Sequence, residues 1–293
     1  MWSRTAPGEI APGITGRVGT SDTHMLHGCV ASWHPHVQTV RNYVPEDVLK
    51  RHLDARRTPY RKLSDAVDGD VLTVDDSTSG AARACVLARE AGHDVTLIVN
   101  PAQIAHGRPY WFSRLDAIMD QRQVATAAFE GGEFDLSPGR PLRTFRLAVK
   151  ARLMTLPETD TDGVLDELAA RLGVRTAAVP VHARTMTVEE LRGLVERGVQ
   201  IGSHGWDHRD IAAMTEAEII DDLRCAREWF HDNLGLHPAH YAVPYGLSPL
   251  TGRAAAEVPG RILLANAGLP AGFLGDRQWN RRDITSELQG RHA

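Results

Sequence analysis

Residues 71–99 read VLTVDDSTSGAARACVLAREAGHDVTLIV, and the order of residue types in this stretch decides the fold class. Residues 71–74 (VLTV) are short and rich in β-branched side chains, as a strand buried on both faces should be. Residues 81–91 are rich in Ala and Leu, which favour helix, and Gly92 follows as a natural stop. Residues 94–99 (DVTLIV) repeat the strand signature. Strand, helix and strand at these lengths make a βαβ unit, which predicts a parallel sheet covered by helices.

The same alternation continues toward the C-terminus. Residues 163–172 form a predicted helix with Val164, Leu165, Leu168 and Leu172 on one face. Residues 175–181 (RTAAVPV) follow as a predicted strand that Pro180 brings to an end. Thr187 and Glu190 have capping-box spacing for a helix through Arg197, Gly198 stops it, and residues 199–201 start the next strand. Thr215 and Glu218 open a longer helix on which Ile219, Leu223, Ala226 and Phe230 recur at helical spacing. A late strand is expected at 261–265 (RILLA). Six or seven such units, with no break in composition and no internal repeat, predict a single barrel-like α/β domain over residues 23–293. Residues 1–22, rich in Gly, Pro and Thr, read as a flexible lead-in. The alternation falters around 100–160, where PYWFSRLDAIMD is followed by a polar run, FEGGEFDLSPGRPLR, that reads as a loop. This region is expected to be an insertion, either shaping a substrate site or lying on the surface.

Composition narrows the function. A chain of 293 residues with 42% hydrophobic content buries a sizeable core without disulfides. Cys29, Cys85 and Cys225 are far apart and form no CxxC pattern, so neither a disulfide framework nor a thiolate zinc site is expected. The net charge of -4, with no block of like charge, gives no footprint for nucleic acid. No signal-peptide core and no apolar run of about 18 residues is present, so a cytoplasmic protein without a membrane span is expected.

Two short clusters follow predicted strands, where α/β folds gather functional groups. One is Thr73-Val74-Asp75-Asp76. Adjacent carboxylates after a buried strand repel unless a positive group sits between them, although a plain helix cap is an alternative reading. The other is Ser203-His204-Gly205-Trp206-Asp207-His208. Imidazoles four apart point the same way if this segment is helical, as ligands of one ion must. Together the clusters suggest a two-His, one-carboxylate metal site with coordination positions left open for water and substrate.

At these residues the chain resembles the polysaccharide deacetylases of the NodB-homology type. The family's T-F-D-D-G motif is matched by Thr73-Val74-Asp75-Asp76-Ser77, and its histidine motif by Gly202-Ser203-His204 through His208. The third motif is matched, in the A-Y-P-Y-G form of one branch, by Tyr241-Ala242-Val243-Pro244-Tyr245-Gly246. The resemblance spans about residues 25–285 and implies a distorted (β/α)7-type barrel. It implies that Asp76, His204 and His208 hold a divalent metal, zinc or else cobalt or nickel. Asp75 would be the general base toward the attacking water, and the Tyr245 backbone N–H would donate to the oxyanion. The family's C-terminal Leu-x-His acid has no match, since RILLAN places Asn266 there. The A-Y-P-Y-G branch carries a Y-H-x-V histidine near the N-terminus, which points to His27 in MLHGCV as the acid, against a structural strand-end histidine. His34 and His36 match nothing and are expected at the surface. Ala242 stands where most members carry an arginine that braces the base, and Arg281 or Arg282 is the expected substitute. The expected activity is N-deacetylation of a small N-acetylated sugar or sugar conjugate. A non-sugar N-acyl or cyclic amide hydrolase and an inactive sugar-binding homologue are the alternatives.

Overall fold

The β-branched runs become buried strands because helices cover the outer face of the sheet they build, while Val71, Ile98, Ala242 and Leu263 pack together on its inner face. The computed structural model describes residues 22–32, 42–64, 70–140 and 142–290. Of the expected lead-in all but Asp22 lies outside these residues, as do His34 and His36. β1 (Thr23–Leu26), β2 (Cys29–Val30), β3 (Val44–Pro45) and α1 (Glu46–Asp54) precede β4 (Val71–Asp75), which is buried along its whole length. α2 (Ser79–Glu90) then returns the chain to β5 (Thr96–Val99), which pairs with β4 in parallel. Residues 71–99 therefore fold as the βαβ unit their pattern predicts. Thr78, rather than either aspartate, caps α2 by accepting the Ala81 N–H at 3.2 Å. The plain-cap reading of Asp75-Asp76 is thereby removed.

The chain continues through α3 (Pro101–His106), α4 (Trp111–Gln121), the hairpin β6 (Thr126–Phe129) and β7 (Gly132–Asp135), α5 (Arg143–Leu153) and α6 (Glu158–Arg171). Next come α7 (Val188–Glu196), β8 (Gln200–Ser203), α8 (Glu216–Leu234), β9 (Tyr241–Ala242), α9 (Gly252–Ala256) and β10 (Ile262–Leu264). The chain ends through β11 (Gly272–Gly275), β12 (Gln278–Asn280), β13 (Arg282–Asp283) and α10 (Thr285–Leu288). Both expected capping boxes form, at Thr187 with Glu190 and at Thr215 with Glu218.

The main sheet runs in the order β11-β12-β10-β9-β8-β5-β4-β1-β13. Only Arg281 separates β12, which pairs with β10, from β13, which pairs with β1, and all these pairings are parallel. Residues 278–283 thus bridge the two ends of the array, and the sheet curls back on itself. With β1, β4, β5, β8, β9 and β10, that bridging strand makes a seven-stranded parallel barrel, distorted where Arg281 interrupts the pairing. The core under α2, α7 and α8 includes Leu72, Val74, Leu97, Val99, Leu191 and Phe230. No helix among the described residues is long and apolar enough to cross a membrane.

Two expectations are corrected. Residues 175–181 form no strand: most of their side chains are exposed or half-buried, so no sheet face holds them. Ala178 exchanges its backbone hydrogen bonds with the Gln121 side chain instead, and residues Val181–Ala183 turn as a 3-10 helix after Pro180. The polar run from Phe129 is a loop only in its second part: residues 136–140 form turn and irregular structure, whereas Gly132–Asp135 pairs back on Thr126–Phe129. Its turn residues Glu130 and Gly131 have φ of 46° and 79°, the left-handed pair a tight hairpin requires. Around the hairpin the insertion builds its own core from Trp111, Leu115, Leu136, Phe145, Val149 and Leu165. Phe145 is fully buried there, edge-on to Phe129 and Phe134. Phe145→Ala should cost about 3–5 kcal/mol of stability, read from the denaturation midpoint. A loss within measurement error would show that this second core does not hold the insertion.

Candidate active site

The C-terminal ends of the barrel strands converge on one cleft of about 290 Å³, lined by His27, Asp75, Asp76, His204, His208 and Tyr245 among others. Asp75 ends β4, His27 follows β1, His204 follows β8, and Tyr245 follows β9. A larger cavity of about 390 Å³ lies between α8 and the chain entering β9, and contains none of these six residues. The smaller cleft is therefore the candidate site.

Asp76, His204 and His208 each bring one ligand atom to within 4.8 Å of the others, all three residues being buried. His208 Nε2 stands 3.5 Å and His204 Nε2 4.0 Å from Asp76 Oδ1. His204 Nδ1 donates to the Ala242 carbonyl at 2.7 Å, which leaves the Nε2 lone pair facing the cluster. Burial pushes the Asp76 carboxyl up to about 7 and the His204 imidazole down to about 4, and it holds His208 well below its ordinary value. Asp76 Oδ1 is buried with no hydrogen-bond partner among the described residues. Two neutral imidazoles and an unsatisfied carboxylate, each costly to bury alone, fit a divalent cation.

The loop that carries the histidines is not helical, so the condition under which a spacing of four aligns the rings is not met. After β8 the chain turns through Gly205 (φ 76°) and His208 (φ 60°), and these left-handed bends bring the two rings to 4.8 Å, edge to face. Asp222 of α8 holds the turn by accepting the Trp206 N–H at 2.8 Å. A side chain on Gly205 would meet Asp222 Oδ2 at 2.5 Å, so only glycine fits. Asp76 and Tyr245 also take positive φ, 74° and 61°. Strained backbone of this kind gathers where side chains must be aimed.

Asp75 is placed differently from its neighbour. Arg281 donates to both its oxygens, Nη1 to Oδ1 at 2.6 Å and Nη2 to Oδ2 at 2.8 Å. Burial alone would raise the Asp75 carboxyl, but the Arg281 charge and hydrogen bonds, with His204 and His27, hold it down to about 2. Arg281 is itself fixed, donating also to Thr73 Oγ1 and the Leu264 carbonyl. Arg282 does not reach the cleft; it is exposed and paired with Glu287. The side-chain position open at Ala242 is thus matched by a guanidinium arriving from the strand that closes the barrel.

His27 lies half-buried in the cleft, its buried Nδ1 without a hydrogen-bond partner among the described residues. The Tyr245 ring stands edge-on to His208 at 4.7 Å. Of the three aromatic residues that open the insertion, Trp111 and Phe112 line the cleft. Tyr110 is buried behind it, its hydroxyl accepting the Ser77 N–H at 2.7 Å and donating to Asn100 Oδ1 at 3.1 Å. Asn100, at the end of β5, also donates to the His204 carbonyl at 2.5 Å and its backbone bonds the Ser77 hydroxyl. Asn100 and Asp222 tie the aspartate and histidine loops in place, and sequence reasoning missed both. A polar residue directly after the 94–99 strand was the one available signal for Asn100.

Residues 155–260 match the family described as polysaccharide deacetylase, a span that includes His204, His208 and Tyr245 but not Asp75 or Asp76. No curated protein matches the chain. Among solved structures, the Streptococcus pyogenes deacetylase PplD in complex with acetate superposes with a TM-score of 0.55 at 12% identity, over 93% of this chain and 98% of that one. IcaB from Ammonifex degensii gives a TM-score of 0.53 at 13% identity, over 93% and 96% of the two chains. BC0361, a polysaccharide deacetylase from Bacillus cereus, gives 0.52 at 10% identity, over 92% and 68%. At such identities these likenesses concern the fold. The likeness to the family is thus carried in sequence by residues 155–260, about a third of the chain, and the solved structures extend it over nearly the whole chain as a likeness of fold.

Proposed function

We propose that the protein is a metal-dependent N-deacetylase acting on the acetamide of an N-acetylated sugar or sugar-containing small molecule. The observation that carries this reading is the buried Asp76, His204 and His208 cluster beside an ionised Asp75 in one cleft. Asp76, His204 and His208 would hold the cation, with zinc preferred and cobalt or nickel suited to the same donors. Such a cation polarises the amide carbonyl and acidifies the attacking water.

The chain's own residues supply the remaining work. Asp75 accepts the water proton, and the double contact from Arg281 keeps it both ionised and oriented. The Tyr245 backbone N–H donates to the oxyanion as charge develops there. His27 delivers a proton to the departing amine. A cleft of about 290 Å³ suits a sugar-sized group, and Trp111 and Phe112 offer apolar surface to a sugar ring. The guanidinium beside Asp75 favours an active enzyme over an inactive binder, since the base has a brace.

Three outcomes test this assignment. Zinc content and hydrolysis of a small N-acetyl or acetyl-ester substrate should both be lost in His204→Ala. In Asp75→Asn the zinc should stay while turnover falls about 10²-fold or more. Equal turnover in both variants and wild type, or no defined metal stoichiometry, would defeat the mechanism. Gly205→Ala should weaken zinc retention and lower stability by about 1–3 kcal/mol, because the new Cβ meets Asp222 at a left-handed position. Unchanged zinc retention would show that this turn does not set the histidines. Finally, the depressed Asp75 carboxyl keeps the active, ionised base present above pH about 2 and loses it only below. Arg281→Lys replaces the double contact with a single weaker one, so burial regains influence and the carboxyl rises. The acid limb of kcat/KM should therefore move to higher pH, and an unmoved limb would contradict the bracing role.

A further inference from the structure

Of the Lys and Arg side chains that line the cleft, all but one are paired with a carboxylate among the described residues. Asp75 is paired by Arg281, and Asp76 belongs to the proposed cation cluster. Arg146, on the α5 wall, is held by Asp116, with Nε at 2.7 Å from Oδ1 and Nη2 at 3.4 Å from Oδ2. Asp283 is exposed and accepts the Thr285 N–H at 2.8 Å. Lys150 is the exception. It sits one helical turn beyond Arg146, lines the same cleft, and forms no ion pair among the described residues. Its half-buried ammonium stands 5.3 Å from the centre of the Tyr245 ring. That ring in turn lies against His208. The fields of Asp116 and Asp210 reach Lys150, but neither carboxylate comes within ion-pair distance.

Two cations four residues apart on one helix face repel each other, and partly desolvating an unpaired ammonium is unfavourable. Packing does not require the charge here, because a methionine would cover the same surface with its stem. A charge-bearing group on the ligand would turn that unfavourable arrangement into a charge-assisted contact. We infer that Lys150, with Arg146 behind it, forms an anion subsite on the α5 side of the cleft, and that the substrate is an acidic N-acetyl sugar carrying a carboxylate or phosphate. This inference rests on the deacetylase reading for the identity of the acylated sugar. It adds the class of substrate and gives the insertion a role, since α5 brings both cations to the site.

The test compares N-acetylglucosamine with its 6-phosphate and with N-acetylglucosaminuronic acid on zinc-loaded wild type, Lys150→Met and Lys150→Arg. One charge-assisted contact should give the wild type a preference of about tenfold or more in kcat/KM for at least one acidic sugar over the neutral one. Lys150→Met should bring that ratio close to one, chiefly through KM, while Lys150→Arg should retain it. Whichever acid shows the larger ratio identifies carboxylate or phosphate as the ligand group. The same ratios should appear in direct binding by calorimetry, measured in Asp75→Asn so that little substrate is consumed. Wild type that treats acidic and neutral sugars alike, or Lys150→Met that lowers both equally, would overturn the subsite and leave deacetylation standing. Lysine-dependent binding of acidic sugars without any hydrolysis by the wild type would instead defeat the deacetylase reading and support the subsite.

Discussion

The double hydrogen bond between Arg281 and Asp75 is the constraint on which the rest of the site depends. Both partners are almost wholly buried, and breaking such a pair leaves an uncompensated charge at a cost of about 3–5 kcal/mol. Arg281 lies between β12 and β13, where the last parallel strand passes from β10 to β1, so the residue that holds the base also sits at the seam that closes the barrel. Its remaining donors fix it to Thr73 on β4 and Leu264 on β10, strands that flank the seam region. The closing seam of the barrel and the brace of Asp75 thus meet in one residue.

Asp75 and Asp76 show how neighbouring groups of one type are given opposite roles by their surroundings. Both are buried, yet one meets a guanidinium and stays ionised far below neutrality, whereas the other meets two imidazoles held neutral by burial. A carboxylate in the second setting lacks a compensating charge until a cation supplies it. The strained turns at Asp76, His208 and Tyr245 aim the groups, and Asn100 and Asp222 restrain the loops that carry them. Rigidity of this kind is what a hydrolytic site needs if its donors are to be in place before charge develops.

Much of this was legible in the sequence, for reasons that differ by residue. The βαβ unit at 71–99 and the two capping boxes were readable because their signals are local: β-branched runs, a glycine stop, and Thr and Glu at fixed spacing. Asp75, Asp76, His204 and His208 were readable because each pair falls in one short stretch at the end of a strand. The shape of the histidine loop was not, since spacing of four suggests helix, and only the left-handed bends at Gly205 and His208 give the same convergence without one. Charge placement narrowed the brace to Arg281 or Arg282, but pleat direction chose between them, and a strand broken at one residue hides its own alternation. Residues 175–181 misled because a short run with Thr and two Val reads as strand wherever it lies, while here no sheet face receives it. The hairpin at 126–135 was hidden by a turn that begins with Glu, a residue seldom placed at positive φ.

The central claim is that one divalent cation is held by Asp76, His204 and His208, with Asp75 beside it as the base. The most direct measurement is a crystal structure of zinc-loaded protein with anomalous data collected at the zinc edge. The account predicts a single strong peak at about 2.0–2.2 Å from an Asp76 oxygen and from Nε2 of both histidines, with Asp75 still paired to Arg281. A cleft without anomalous signal, or a peak bound by a different set of residues, would contradict it.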